Sequence, residues 1–282
     1  MQVRVVKREW FNVSRADEFR IFPIGDVHIG AAGCDEDSLR ALVERIAADE
    51  RSYWIGMGDY CDFVNLSDPR FDVLALASWV RVVDLADLAR AQRERFVSLV
   101  APIAGRCLGL LCGNHEQAIQ KHYERDVYAE IVAEVKTCAG WPADFNLGLG
   151  FSGWVRLAFF WGPDRGGGSC VILVNCHHGF TNARLAGGRA LALQRYLWNH
   201  EADLVLFGHS HNVGSQREAV ECLDRAGRVR LAQRLGVFGG TFLRPVVEGI
   251  TTYAERGGLP PMGVGHVDVV VKPGDRSVRV VS

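Results

Sequence analysis

Imidazole and oxygen donors recur in five short segments of this chain: Gly25-Asp26-Val27-His28, Gly58-Asp59-Tyr60-Cys61-Asp62, Gly113-Asn114-His115-Glu116, His177-His178-Gly179 and Gly208-His209-Ser210-His211. Such hard and borderline donors suit divalent transition ions and are poorly matched to a soft thiolate site. There are enough of them for two ions. A carboxylate bridging two cations about 3.5 to 4 Å apart is the arrangement that clamps both the attacking and the leaving oxygen of an in-line phosphoryl displacement. His209 and His211, at i and i+2 of an extended segment, project to the same side, a spacing that serves metal binding.

Each segment follows an apolar run that reads as a buried strand: Phe19 to Ile24, Tyr53 to Met57, Cys107 to Leu111, Val171 to Val174 and Leu204 to Phe207. The donors therefore sit at strand C-termini, where α/β sheets gather their ligands. Leu39, Leu42, Val43 and Ile46 recur at helical spacing and complete a βαβ unit. The pattern predicts a long helix from about Val73 to Val100, stopped by Pro102 and Gly105. Another is expected from near His115 to about Val135, its N-terminal amides facing the site. From Gly150 the period changes to two. Trp154 to Trp161 and Cys170 to Cys176 flank a glycine-rich hairpin connection and open a second sheet. A helix is expected over Leu185 to Trp198. Beyond Phe207 the chain reads as short strands, the last two being Val267 to Val271 and Ser277 to Val281. Arg81, Arg90, Arg93 and Arg95, interleaved with Asp84, Asp87 and Glu94, read as a solvated helix face; the alternative is a rim beside the site that includes Trp79. Arg184 and Arg189, just after His178, are placed to touch a phosphate.

Because the five segments run from Asp26 to His211, a domain boundary between them would divide the site. One catalytic domain is expected over 1–282, with its motif core at 19–212 and a β-rich extension at 213–282. With 48% hydrophobic residues the chain can bury a sizeable core, and its net charge of −1 provides no electrostatic footprint for indiscriminate binding to nucleic acid or membrane surfaces. The eight cysteines occur singly, without a Cys-x-x-Cys pair, and read as buried free thiols. The N-terminus lacks the apolar core and cleavage pattern of a secretory leader, and no apolar stretch is long enough to span a bilayer. A cytoplasmic protein without membrane partners is expected.

Taken together, the five segments resemble the calcineurin-like metallophosphoesterase superfamily, whose pattern is Asp-x-His, Gly-Asp-x-x-Asp, Gly-Asn-His-Asp/Glu, a His near Gly, and Gly-His-x-His. The resemblance covers about two-thirds of the chain. It implies an α/β four-layer sandwich, two mixed sheets flanked by helices, and two divalent metal ions, Mn²⁺ foremost, with Fe²⁺, Zn²⁺ or Ni²⁺ tolerated. Position by position it implies Asp26, His28 and His211 as ligands of one ion, Asn114, His178 and His209 as ligands of the other, and Asp59 as the bridge. His178 is preferred to His177 because many relatives carry a single His directly before the Gly. His115 is implied as the group that contacts the scissile phosphate and protonates the leaving oxygen, and Asp62 as the carboxylate that orients it. The reaction implied is attack of metal-bridged hydroxide on a phosphomonoester or phosphodiester. Where the phosphoprotein-phosphatase branch has an Arg that grips the phosphate, this chain has Phe63, which favours a diester, nucleotide or nucleic-acid substrate over a phosphoprotein. The alternative reading, a metal-binding scaffold that recruits a partner protein, fits members whose ligands have eroded; here every expected ligand is present.

Overall fold

The computed structural model of the chain describes residues 4–180, 183, 185–223, 226–258, 260 and 263–281. Its first sheet is built on the first three buried runs, strands β2 (Phe19–Ile24), β3 (Ser52–Gly56) and β4 (Cys107–Leu111). The second contains β1 (Val5–Trp10), β6 (Ser152–Phe160), β7 (Ser169–His177) and β8 (Leu204–Phe207). Short β5 (Gly148–Gly150) closes one edge of the first sheet. Five strands come from the C-terminal part: β9 (Val213–Leu223), β10 (Val229–Thr241), the two-residue β11 (Gly265–His266), β12 (Asp268–Lys272) and, at the first sheet's other edge, β13 (Ser277–Val281). The first sheet runs β13-β12-β2-β3-β4-β5 and the second β1-β6-β7-β8-β10-β11, with β9 beside β10. Both are mixed: β2, β3 and β4 are parallel while β12 is antiparallel to β2, and β7, β8 and β10 are parallel while β9 is antiparallel to β10.

The helices are α1 (Glu36–Ala48), α2 (Leu88–Val100), α3 (Asn114–Tyr123), α4 (Val127–Cys138) and α5 (Ala186–Asn199). Their apolar faces define the layers. Leu39, Leu42 and Ile46 of α1, Phe96 of α2 and Ile131 of α4 pack on Phe22, Ile24 and Trp54, one face of the first sheet. The other face, through Ile21, Ile55 and Leu108, meets Val155, Ile172, Leu204 and Val237 of the second sheet. Leu193 and Leu197 of α5 cover Val205, Phe207 and Phe238 on that sheet's outer side. The result is the expected four-layer sandwich, held by apolar burial on both faces of both sheets.

Three sequence expectations are corrected. No long helix spans 73–100: α2 starts only at Leu88, preceded by the 3₁₀ turns Val73–Ala75 and Val82–Asp87. Aspartates cause the breaks, since Asp72 accepts from Leu74 N (3.0 Å), Asp84 from Arg81 N (2.9 Å) and Asp87 from Arg90 N (3.0 Å), each offering the backbone a local alternative to helix. Val73, Leu74, Val82 and Val83 are 62–86% exposed, so the apolar residues of this stretch gain no burial that would stabilise a helix. The helix expected over 115–135 is two helices, parted where Glu124 turns left-handed (φ 55°) and Asp126 caps the second through Ala129 N. The tail is not made only of short strands, because β9 and β10 form a hairpin of 11 and 13 residues. Cys61, Cys107, Cys112, Cys170 and Cys176 are buried, Cys34 and Cys222 half-buried and Cys138 exposed, all as free thiols. Among the described residues no helix is long and apolar enough to cross a membrane.

Candidate metal centre

The five donor segments meet in the crevice between the sheets. Three leave the C-terminal ends of β2, β3 and β4, and two leave β7 and β8 from the opposite sheet. The first two loops are laced by backbone hydrogen bonds: Asp26 N donates to Gly58 O (3.0 Å), Val27 N to Asp59 O (2.9 Å) and Ile29 N to Tyr60 O (3.0 Å). Glu116 ties in the third, its buried carboxylate accepting from Gly113 N (2.8 Å), Asp59 N (3.0 Å) and Tyr60 N (2.9 Å). Backbone closeness explains Gly113, where a Cβ would stand 2.1 Å from Asp59 Oδ1.

Two groups of donors result. In one, His28 Nε2 lies 3.3 Å from His211 Nε2, and His211 Nε2 lies 3.4 Å from Asp26 Oδ1. In the other, His178 Nδ1 donates to the Met57 carbonyl (2.7 Å), which turns Nε2 toward Asn114 Oδ1 (3.0 Å) and Asp59 Oδ2 (3.3 Å). Ligand atoms of Asp26, His28 and His211 lie within 4.8 Å of one another, as do those of Asp59, His178 and His209. His28, Asp59 and His115 form a third such set between them. All seven residues expected as ligands thus gather in one place. Asp26 Oδ2 also accepts from His209 N (2.9 Å), but its buried Oδ1 and the buried Nδ1 of His28 have no hydrogen-bond partner.

His177 points elsewhere: its Nδ1 accepts from Gly179 N (2.7 Å), its ring stacks on Phe207, and burial lowers it to about 4. His115 Nδ1 donates to the backbone carbonyl of Asp62, so that contact runs through the main chain; the Asp62 carboxylate lies 3.5 Å from His28 Nδ1. The first-turn amide of α3, His115 N, donates to Asp59 Oδ1 (3.0 Å), so a carboxylate occupies the helix N-terminus as expected of an anion there.

Charge interactions in the crevice are strong. Burial pushes Asp26 up to about 8. Burial also works against ionised Asp59, but His178 and His115 hold it well below the usual carboxylate range. Reciprocally, burial opposes a charged His178 and the Asp59 carboxylate overrides it, up to about 10. Glu116 is raised by burial and then by Asp59.

A match to the family model for calcineurin-like phosphoesterases covers residues 19–213, which contain every donor just described. The chain belongs to the calcineurin-like phosphoesterase family. That family is metal-dependent and acts on phosphate esters. No curated protein sequence matches the chain. Among solved structures, this calcineurin-like phosphoesterase is similar to a predicted phosphoesterase of Streptococcus pneumoniae, at 10% identity over 90% of this chain and 83% of that one, with a TM-score of 0.32. It is similar to the NAD nucleotidase of Haemophilus influenzae at 11% identity, covering 94% of this chain and 49% of that one (TM-score 0.37). A calcineurin-like phosphoesterase of Bacillus subtilis matches at 11% identity over 94% of this chain and 88% of that one (TM-score 0.33).

Among residues around the centre, the sequence signalled no role for Glu116, Gln92 or Thr241. Thr241 Oγ1 donates to the Asp26 carbonyl (2.8 Å) and lies 3.4 Å from His211 Nδ1. Gln92, fully buried on α2, accepts from Phe63 N (2.8 Å) and lies so close to Gly30 (φ 102°) that a Cβ there would meet Nε2 at 2.2 Å. The arginines expected as a solvated face divide. Arg93 is buried and pairs with Glu130 and Glu134, and Arg95 pairs with Glu36. Trp79 donates to Glu36 (2.7 Å), away from the donors. Arg189 borders the crevice; Arg184 lies outside the described residues.

Proposed function

We propose that this phosphoesterase hydrolyses its substrate with two divalent cations, one held by Asp26, His28 and His211, the other by Asn114, His178 and His209, with Asp59 between them. The observation that carries this reading is the convergence of donor atoms: His178 Nε2 lies 3.0 Å from Asn114 Oδ1 and 3.3 Å from Asp59 Oδ2, beside a buried Asp26 Oδ1 that no hydrogen bond satisfies. A buried carboxylate oxygen without a donor is costly, and a cation beside it removes that cost. Imidazole and oxygen donors suit Mn²⁺ first, and Fe²⁺, Zn²⁺ or Ni²⁺. Such ions would supply Lewis-acid charge to the phosphoryl oxygens and an activated water. His115, its Nδ1 engaged by the Asp62 carbonyl, keeps Nε2 for delivering a proton to the leaving oxygen, and Asp62 fixes that orientation.

Phe63 supports a diester, nucleotide or nucleic-acid end over a phosphoprotein, because its side chain is buried at 4% exposure and offers the phosphate no clamp. The whole chain is read as one catalytic domain, since β10 lies beside β8 and β12 beside β2, so the extension contributes to both sheets. Eight free thiols support a reducing, cytoplasmic setting.

The test is release of p-nitrophenol from bis-p-nitrophenyl phosphate and p-nitrophenyl phosphate by metal-stripped protein, with Mn²⁺, Zn²⁺, Ni²⁺ or Mg²⁺ restored. Asp59→Ala and Asp59→Asn are run beside it, with folding checked by circular dichroism. The expected outcome is metal-dependent turnover that falls to the metal-free background in both variants. Folded, metal-loaded wild-type protein inactive on every ester would overturn the reading.

A further inference from the structure

The crevice that holds the donors widens into a cavity, about 500 Å³ with the centre included, floored by the loop 31–33 and walled on two sides. One wall is stitched to that floor by Ala32 N to Ala75 O (2.8 Å) and Ala77 N to Gly30 O (2.9 Å). The other is stitched by Arg244 N to Gly33 O (2.9 Å) and by the bridge between Cys34 and Leu243. An ion pair from Asp72 to Arg256 (2.8 Å) ties the first wall to the helical turn Tyr253–Arg256 of the second. The cavity is thus built from backbone hydrogen bonds, and His28, Asp62, Asn114 and His115 form its inner end.

Apolar side chains contribute to both walls, Phe71, Ala75 and Leu76 on one side and Leu243, Val247 and Ile250 on the other, between the hydroxyl and charged groups of Asp72, Thr251 and Thr252. The cations around it are engaged, Arg70 with Asp68 (2.8 Å), Arg244 with Asp35 (2.9 Å), Arg256 with Asp72, and Arg189 with the Ala183 carbonyl (3.4 Å). A polynucleotide groove needs the reverse, a run of uncompensated cations and stacking rings. A volume of this size is that of a small-molecule site.

We infer that this cavity seats the organic group of the substrate, and that the substrate is a small phosphate ester carrying a compact apolar or aryl group. The inference narrows the phosphoesterase reading of the adjoining centre and rests on it. Phe71, Ala75, Val247 and Ile250 are its specificity-determining residues, acting on binding of the organic group and not on the reacting atoms.

Two esters whose leaving alcohols are of nearly equal basicity, ethyl phosphate and 2-phenylethyl phosphate, isolate that binding. With Mn²⁺-loaded protein, kcat/KM for the phenylethyl ester is expected to exceed that for the ethyl ester by about tenfold or more, from apolar area removed from water. Val247→Asp, which puts a charge in the wall, and Ala75→Trp, which fills the space with apolar bulk, should each erase that ratio, the phenylethyl ester losing more than the ethyl ester. Equal rates on the two esters in the wild type, a ratio that survives both variants, or a single-stranded oligonucleotide preferred to both would overturn the inference. Calorimetric titration with ethylphosphonate and 2-phenylethylphosphonate decides it independently of turnover. If no ester is hydrolysed, the reading of the centre fails, while tighter binding of the phenylethyl compound still supports the cavity assignment and equal binding rejects it.

Discussion

Five of the donor residues stand in the left-handed backbone region: Asp26 (φ 49°), His28 (55°), Asp59 (51°), His209 (63°) and His211 (49°). A single left-handed residue turns the chain sharply as it leaves a strand, and outside glycine Asp and His are among the types that tolerate it. The strain is of order 1 kcal/mol each and persists because the surrounding hydrogen bonds over-determine it. Glu116 contributes most to that surrounding network, holding three amides on two loops. Glu116→Gln keeps the shape but sets an NH₂ donor against buried N–H groups, which should cost about 1–3 kcal/mol. Urea denaturation checks the stability, and titration with Mn²⁺ should show weakened metal binding in the variant that remains folded. The donors themselves were legible because each motif carries its chemistry within a few consecutive residues. Glu116 was visible in the third motif but its role was not, since the amide of Asp59 that it holds lies 57 residues away.

At the scale of elements, the strands feeding the site were legible from continuous apolar runs, and the two walls of the cavity were not. Segments 64–80 and 243–256 have little regular structure; their order comes from hydrogen bonds to the 30–35 loop, which no local periodicity encodes. The long helix expected over 73–100 fails for a related reason. Apolar residues there match helical spacing, but Asp72, Asp84 and Asp87 divert the backbone, and its first half is free to line the cavity. Helix α2 retains a positioning role through Gln92, which grips the loop that carries Asp62. Gln92→Leu preserves volume and leaves Phe63 N without its acceptor. The variant should lose about 1–3 kcal/mol of stability and turn over p-nitrophenyl phosphate more slowly, with kcat affected more than KM, because the loop orienting His115 loosens. A thermal melt and steady-state kinetics measure both; unchanged kcat would show that the loop is held without Gln92.

Over the whole molecule, the crevice exists only because two sheets face each other and present their strand ends at the same side. The four-layer arrangement was expected from the family resemblance, and the second sheet from the change of period at Gly150, but the long β9–β10 hairpin was not. Along β9 exposed and half-buried residues alternate with no fully buried face, so its sequence carries no strong apolar signal. The two sheets also carry a built-in stopwatch. Cys107 lies in β4 of one sheet and Cys176 in β7 of the other; burial raises both thiols, Cys107 up to about 12. A thiol reagent acting on native protein should consume Cys138 at once and reach these two only as the layers part, because the thiolate is the reacting form. Mass spectrometry of the labelled chain then times each sheet separately. Equal rates at Cys107 and Cys176 would mark a molecule that opens as one cooperative unit, and unequal rates would name the sheet that lets go first.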